Sequence, residues 1–475
     1  MKKKKLKNLT LVHAGNEYVN ILAKRVATKP EIFHDVGFKN IDLRQHFSEG
    51  LTTEETGELI YPKGNIWYKT EGMDRDTHEY KQLYQMLCEC IFSVIDEMPF
   101  DGSTKDQFKQ SLESEKIADL VIQAYLKIKN NPNQLKLAFV QILWLYVHDD
   151  LRDDQSSPLH TDPTNVEKMN EQLHDFLRSD SRDSDVFKFS IEISNLFKDE
   201  PRLKAQLIFL EWLTKEYKKQ LDQTFHSSGE NTTGSIKKDM IKALLDDISE
   251  YFGSNIREAK DANKQPPRNL SEYEEFRIGN SAVASCVDLL NFFSILNSED
   301  PKYAWFQMLK FPNRGDVSKI AALHIGATNC VFSAVREFNN WDLTNFVVMK
   351  KETDGLPWPD AYQASTDYVN EKYLELISIS KKIKEDLHKK TKDALHSNKT
   401  LQDIEPSELN DEYQEHYMDL VFKKKVREFF KDAPNPSHEL MDQFIEAHPQ
   451  IKMLGEIINW MDGNICFSQF APRYK

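Results

Sequence analysis

The sequence predicts an all-α protein, and three observations carry that prediction. Glycine is sparse, 16 in 475 residues, while Leu, Lys, Glu, Asp and Phe are plentiful, a balance that suits helices rather than turn-rich sheets. From about Asp76 onward apolar residues recur at helical spacing. No segment alternates strongly in the manner of a strand, and no internal repeat is visible.

Composition bounds the rest. Apolar residues make up 40% of the chain, as in a globular protein with a large core. A formal charge of −14 argues against non-specific nucleic-acid binding. The five cysteines are few, odd in number and mostly inside apolar stretches, so no disulfide framework is expected and a reducing compartment fits. Cys88 and Cys90 lack zinc-ligand spacing. The basic start, MKKKKLK, precedes a short apolar stretch broken by Asn8, His13, Asn16 and Glu17, which is not a signal peptide. No run approaches the length of a membrane span. A cytoplasmic location without stable membrane insertion is expected.

Residues 1 to about 70 hold Pro30, Gly37, Gly50, Gly57 and Pro62 between short apolar runs, and read as an irregular N-terminal extension. Residues 71–475 read as one helical domain. YKQLYQMLCECIFSVIDEM is a clear amphipathic helix, followed by EKIADLVIQAYLKIK. The next apolar run, Leu135 to Val147, has helical spacing and no Gly or Pro. QSSPLHTDPTN (155–165) is a loop. Helices resume at VEKMNEQLHDFL, at VFKFSIEISNLF and at RLKAQLIFLEWLTKEYKKQL. HSSGENTTGS (226–235) is a polar connector, then IKKDMIKALLDDISEYF is helical and DANKQPPRNLS (261–271) is a second loop. KKIKEDLHKKTKDALH (381–396) reads as a solvated or inserted polar helix.

The chemistry begins where the apolar run ends, in WLYVHDDLRDD. Positions four apart on a helix are offset by only about 40°, so Asp149 and Asp153 point the same way, with Asp150 and Asp154 beside them. Carboxylates so clustered repel each other unless a cation lies between them, and hard ions such as Mg²⁺ take such oxygens. A solvated acidic helix end is the alternative. A second element lies in NCVFSAVREFNNWDLTNFV: Asn329, Ser333 and Glu337 stand at i, i+4 and i+8, within an arc of roughly 80°. They offer one cation an amide, a hydroxyl and a carboxylate oxygen, or else form an ordinary polar stripe.

Together the two elements resemble those of the class I terpene synthases. Asp149-Asp150-Leu151-Arg152-Asp153 matches the family's DDxx(D) motif, with Trp144 and Tyr146 where aromatics tend to precede it. Asn329, Ser333, Arg336, Glu337, Asp342, Asn345 and Val347 fall in step with the second motif and its continuation. Tyr273 to Arg277 matches the YxxxR context of the diphosphate-sensing arginine. Trp460, Gly463, Asn464, Ser468, Arg473 and Tyr474 fit the terminal helix and its RY pair. The pattern is similar to the microbial-type single-domain cyclases, also found in octocorals; neither a plant-type second domain nor a DxDD motif is present. Departures are Cys330 in place of the usual second Asp, Arg336 in place of the usual Lys, and Asn280 and Ser281 where the family often has an acid and a Gly.

The resemblance implies a helical bundle around a central cavity and a prenyl diphosphate substrate, geranylgeranyl before farnesyl. It implies Mg²⁺, three ions, held by Asp149, Asp150, Asp153, Asn329, Ser333 and Glu337. Arg277, Arg336, Arg473 and Tyr474 would bind the diphosphate. Asp149, Asp153, Arg277 and Glu337 would be central to catalysis, with Asp150 and Asp154 also candidates for positioning other groups. Trp144, Tyr146, Phe292, Phe293, Phe332 and Trp460 are candidate cavity walls. A monomer or homodimer is expected. The competing readings are a chain-elongating prenyltransferase, which generally carries two aspartate-rich motifs, and a non-catalytic helical scaffold.

Overall fold

Tyr80, Leu87, Ile91 and Ile95 recur on one stripe and bury the first helix, α1 (His78–Glu97). The computed structural model of the protein describes residues 73–97, 101–153, 171, 201–225, 231–260, 269–309, 311, 314–339, 344–396, 411–433 and 435–468. Among these, every regular element is a helix, as the sequence predicts. The expected N-terminal extension, the 155–165 loop, most of 166–197, Asp154, Asp342, Arg473 and Tyr474 lie outside the described residues.

Asp101 starts α2 (Gly102–Glu115) by accepting from the Thr104 amide at 2.9 Å. Lys116, in the left-handed conformation, turns the chain into α3 (Ile117–Ala124), all of whose residues are buried. A 3-10 turn leads to α4 (Pro132–Asp153), the long apolar helix that ends in the aspartates. It is buried nearly all round from Leu135 to Val147, as befits a central helix. The next helices are α5 (Pro201–Thr224) and α6 (Asn231–Lys260). Asn231 to Ser235, read from sequence as connector, already belong to α6.

Helices α7 (Leu270–Asn280) and α8 (Val283–Leu296) meet at a bend of 51°. Its pivot is Ala282, with φ 55, a left-handed conformation that costs a residue with a Cβ about 1 kcal/mol. Then come α9 (Pro301–Leu309), α10 (Arg314–Asn339), which carries the second motif, and α11 (Phe346–Glu352). They are followed by α12 (Trp358–His396), α13 (Asp411–Phe429), α14 (His438–Glu446) and α15 (Pro449–Ser468). Residues 381–396 are the second half of α12 and not a separate solvated helix. Ile383, Leu387, Thr391 and Ala394 are buried there, because α13 and α14 pack on that stripe.

Helices α8, α10 and α15 pack on one another, with α3, α4, α6 and α7 around them. At Gly463, α15 touches the backbone of α3: a Cβ there would stand 2.6 Å from the Ala124 Cα and the Gln123 carbonyl. Among the described residues no single helix is long and apolar enough to cross a membrane.

Candidate active site

Seven elements converge on a cavity of about 140 Å³. From α4 come Ile142, Leu145, Tyr146 and Asp149, and from α10 come Ile325, Gly326 and Asn329. The α7–α8 bend contributes Arg277 and the stretch Asn280 to Val283, followed by Cys286. Leu120 of α3, Tyr251 of α6 and Trp460 and Asn464 of α15 complete the wall. Asp149, Arg277 and Asn329, far apart in sequence, thus share one cavity. A larger groove, about 570 Å³, lies between α9, α12, α13 and the start of α15 and holds none of the expected site residues.

The end of α4 is held by His148, buried beside Asp149. Its Nε2 lies 3.3 Å from the Asn255 amide and its ring packs edge-on against Phe252 at 4.7 Å. Asp149 itself is half-buried. The side chains of Asp150, Arg152 and Asp153 lie outside the described set, although α4 carries their backbone to its end.

On α10, Asn329 is half-buried on the cavity wall. Ser333, one turn on, is fully buried, and its hydroxyl donates to the Asn329 carbonyl at 2.6 Å. Glu337, a further turn on, is half-buried, and its carboxylate accepts from Asn345 Nδ2 at 2.7 Å. Asn345 also donates to the Cys330 carbonyl at 2.9 Å and, through Oδ1, accepts from the Val347 and Val348 amides to start α11. The Arg336 side chain lies outside the described set.

Arg277 is held from beneath. Its Nη2 donates to Cys330 Sγ at 2.9 Å, and its Cζ stands 5.8 Å from the Tyr273 ring centroid and 5.9 Å from that of Phe276. Tyr273 is fully buried in a small separate core with Phe346, 4.4 Å away ring to ring, and Tyr368. The tyrosine four residues before the arginine therefore pins α7 to α11 and α12. Burial pushes the Cys330 thiol up, against the pull of Arg277.

The aromatic expectations divide. Tyr146 and Trp460 line the cavity. Trp144, Phe292, Phe293 and Phe332 do not; they are packed into the main core, Trp144 edge-on to Phe252 at 5.4 Å and Phe292 against Tyr217 at 5.6 Å. Their helices are buried on every side, so an aromatic there has many neighbours besides the cavity. Tyr251 and Gly326 were not anticipated, and nothing in their local sequence marks them.

The donor chemistry fits a hard divalent cation. Carboxylate and amide oxygens from α4 and α10 face one cavity, and Ser333 keeps lone pairs after donating its proton. Among the described residues no three His, Cys, Asp or Glu side chains gather at a metal site. The second element instead offers Asn and Ser beside its one acid.

Among solved structures, the chain is similar to a single-site variant of cucumene synthase, at TM-score 0.46 and 11% identity over 82% of this chain and 95% of that one. It is also similar to a point variant of SVS_A2, a protein from ancestral sequence reconstruction, at TM-score 0.42 and 11% identity over 82% and 84%. No curated protein sequence matches the chain. Residues 141–375 match the family described as terpene synthase family 2, C-terminal metal binding. The matched stretch contains the aspartates of α4, Arg277 and the Asn329–Ser333–Glu337 set, and the match supports a class I terpene synthase.

Proposed function

We propose that the protein is a Mg²⁺-dependent carbon–oxygen lyase. It would ionise a prenyl diphosphate, geranylgeranyl before farnesyl, and release a cyclic terpene hydrocarbon or alcohol with inorganic diphosphate. The observation that carries this reading is the meeting of Asp149, Arg277 and Asn329, from three helices, around one cavity whose other walls are mostly apolar and aromatic. Residues 71–475 would act as one domain, behind the 1–70 extension, in a monomer or homodimer.

Asp149, Asp150 and Asp153 of α4 and Asn329, Ser333 and Glu337 of α10 would hold the metal, in a three-ion arrangement. Bound Mg²⁺ supplies neutralisation of the diphosphate and of the charge that grows on it as the carbon–oxygen bond breaks. Arg277, Arg336, Arg473 and Tyr474 would donate hydrogen bonds to the diphosphate oxygens and stabilise the charge that develops there. The allylic cation left behind would meet Tyr146, Tyr251 and Trp460 of the cavity wall, aromatic side chains of the kind that stabilise positive charge in a desolvated site. Leu120, Ile142, Leu145 and Ile325 keep water away from it. A hydrocarbon product forms when the cation loses a proton, and an alcohol forms when water adds and then loses one. The cavity, about 140 Å³, is below the usual range of about 300–1,000 Å³ for small-molecule sites, so its size does not carry the choice of substrate. The preference for the longer substrate rests on the length of the chain together with its octocoral-like pattern, not on the cavity.

The test is incubation of purified protein with Mg²⁺ and, separately, geranyl, farnesyl and geranylgeranyl diphosphate, with gas chromatography–mass spectrometry of the organic extract. A terpene from one substrate, lost in Asp149→Ala and in Asn329→Ala, is expected. A longer prenyl diphosphate, formed only with added isopentenyl diphosphate, would replace the proposal with chain elongation. No product from a folded protein with any substrate would favour a scaffold.

A further inference from the structure

Arg277 enters the cavity from α7, where the Tyr273 and Phe276 rings flank it, and two residues of α10 also bear on its side chain. The aliphatic stem lies across Gly326, where a Cβ would stand 2.5 Å from Arg277 Cγ and 2.6 Å from Cδ. These are inner stem atoms, so any side chain at 326 moves the whole arginine. One turn further along the same helix, Cys330 Sγ accepts from Nη2 at 2.9 Å. Residues four apart share a face, so the gap and the acceptor form one stripe, with Asn329 beside it on the cavity wall. Below, Tyr273 and Phe346 close the small core to which Cys330 belongs.

We infer that Gly326 and Cys330 form a seat that aims the Arg277 guanidinium into the cavity, which makes both of them positioning residues for recognition of the substrate diphosphate. The inference rests on the proposed function and adds Gly326, which lies outside the motifs, and Cys330, which stands where the second motif usually has an Asp. An unseated arginine must be ordered when the anion binds; a seated one has its stem direction set beforehand, which favours binding. The seat separates its two duties: absence of a side chain at 326 gives the stem room, and the sulfur at 330 sets the rotation of the head group. Cys330 and Glu337 are also tied to the same Asn345 amide, so the seat is joined to the second motif.

The test uses the full chain with Gly326→Ala, Cys330→Ala and Cys330→Ser. Readouts are KM and kcat for the substrate that the wild type accepts, inhibition by inorganic pyrophosphate with Mg²⁺, and thermal melting by circular dichroism. Gly326→Ala is expected to raise KM and the pyrophosphate inhibition constant roughly 10- to 100-fold, the size of a lost hydrogen bond to a charged group. Its melting temperature should fall by a few degrees at most, since the better helix propensity of Ala offsets part of the cost of moving Arg277. Cys330→Ala should shift both constants in the same direction, and Cys330→Ser, which keeps an acceptor, should stay within about two-fold of wild type. Constants within about two-fold of wild type in both alanine variants would overturn the seat, as would a serine variant no better than the alanine one. If Cys330→Ala fails to fold, Gly326→Ala and Cys330→Ser decide. A wild type inert towards every prenyl diphosphate defeats the proposed function itself, whereas an active wild type with unaffected variants defeats only the seat.

Discussion

Asn345 is a single residue with two duties. Its carbonyl oxygen starts α11 on the Val347 and Val348 amides, while its amide nitrogen holds Glu337 at 2.7 Å. Substitution tests both. Asn345→Ala should cost about 1 kcal/mol of stability through the lost cap, read by denaturant unfolding. Asn345→Asp keeps a capping oxygen but loses the donor and sets a carboxylate against Glu337. That variant should lose at least as much stability as Asn345→Ala, since two carboxylates then face each other at a buried position, and should need roughly 10-fold more Mg²⁺ for half-maximal turnover, the scale of a lost outer contact to a metal ligand. A Mg²⁺ titration unchanged from wild type would remove Glu337 from the proposed metal set or Asn345 from its support.

At the scale of elements, helices meet through glycine in two different ways. At Gly326 a Cβ would meet a side chain, which can move; at Gly463 it would meet the backbone of α3 at 2.6 Å, which cannot move alone. Gly463→Ala should therefore destabilise the protein by about 1–3 kcal/mol as α3 and α15 are forced apart, more than Gly326→Ala, where only a side chain has to shift. Helix α12 gives a second contrast. Leu387 is 5% exposed on the stripe covered by α13 and α14, so Leu387→Ala should cost about 2–4 kcal/mol. The exposed Lys389, two residues on, should tolerate Ala within about 0.5 kcal/mol. Equal effects at the two positions in urea unfolding would restore the solvated-helix reading of 381–396.

For the molecule as a whole, one ion pair fastens the first described residues to both a neighbouring and a distant element. Arg75 donates to Asp119 of α3 through Nε at 3.1 Å and Nη2 at 2.7 Å, and Nη2 also reaches the Cys466 carbonyl of α15 at 3.2 Å. Tyr80 adds a donor to the same carboxylate at 2.7 Å. Asp119→Ala removes the carboxylate that Arg75 and Tyr80 share, and should cost about 3 kcal/mol in an unfolding titration. Acid should weaken the whole molecule for a separate reason. Burial lowers both His324 and His448 to about 3 from 6.5, so between those values the unfolded chain binds two protons that the folded one refuses. Stability from these residues is full above pH 6.5 and falls as the pH drops. Glu456 opposes them: burial raises it to about 7 from 4.5, so its contribution grows as the pH falls through that window. Two histidines outweigh one glutamate, and net stability should decline from pH 6.5 towards 4.5. Since no other group perturbs His324, His324→Leu should reduce the loss between pH 7.5 and 5.0 by about 2 kcal/mol in urea midpoints. An undiminished loss would mean that His324 takes up its proton in the folded state.

Helices, their approximate order and the motif spacing were legible in the sequence because they are local. A 3.6-residue period is visible within one segment, and it puts Asn329, Ser333 and Glu337 in line on α10 before any fold is known. The same period marked α4 as a helix ending in acid. The candidate aromatic walls were only half legible, since an aromatic in an apolar helix looks the same whether it faces a cavity, as Tyr146 does, or the core, as Trp144 does. Residues 381–396 misled for a related reason: a polar composition hides a four-position stripe until the neighbours that cover it are known. Contacts between helices could not be read at all. Arg277 and Cys330 are 53 positions apart, and whether a glycine receives an arginine or another backbone depends on how two helices cross. Local chemistry thus specified the helices and the functional groups they carry, while packing alone decided which groups face one cavity and what holds each of them there.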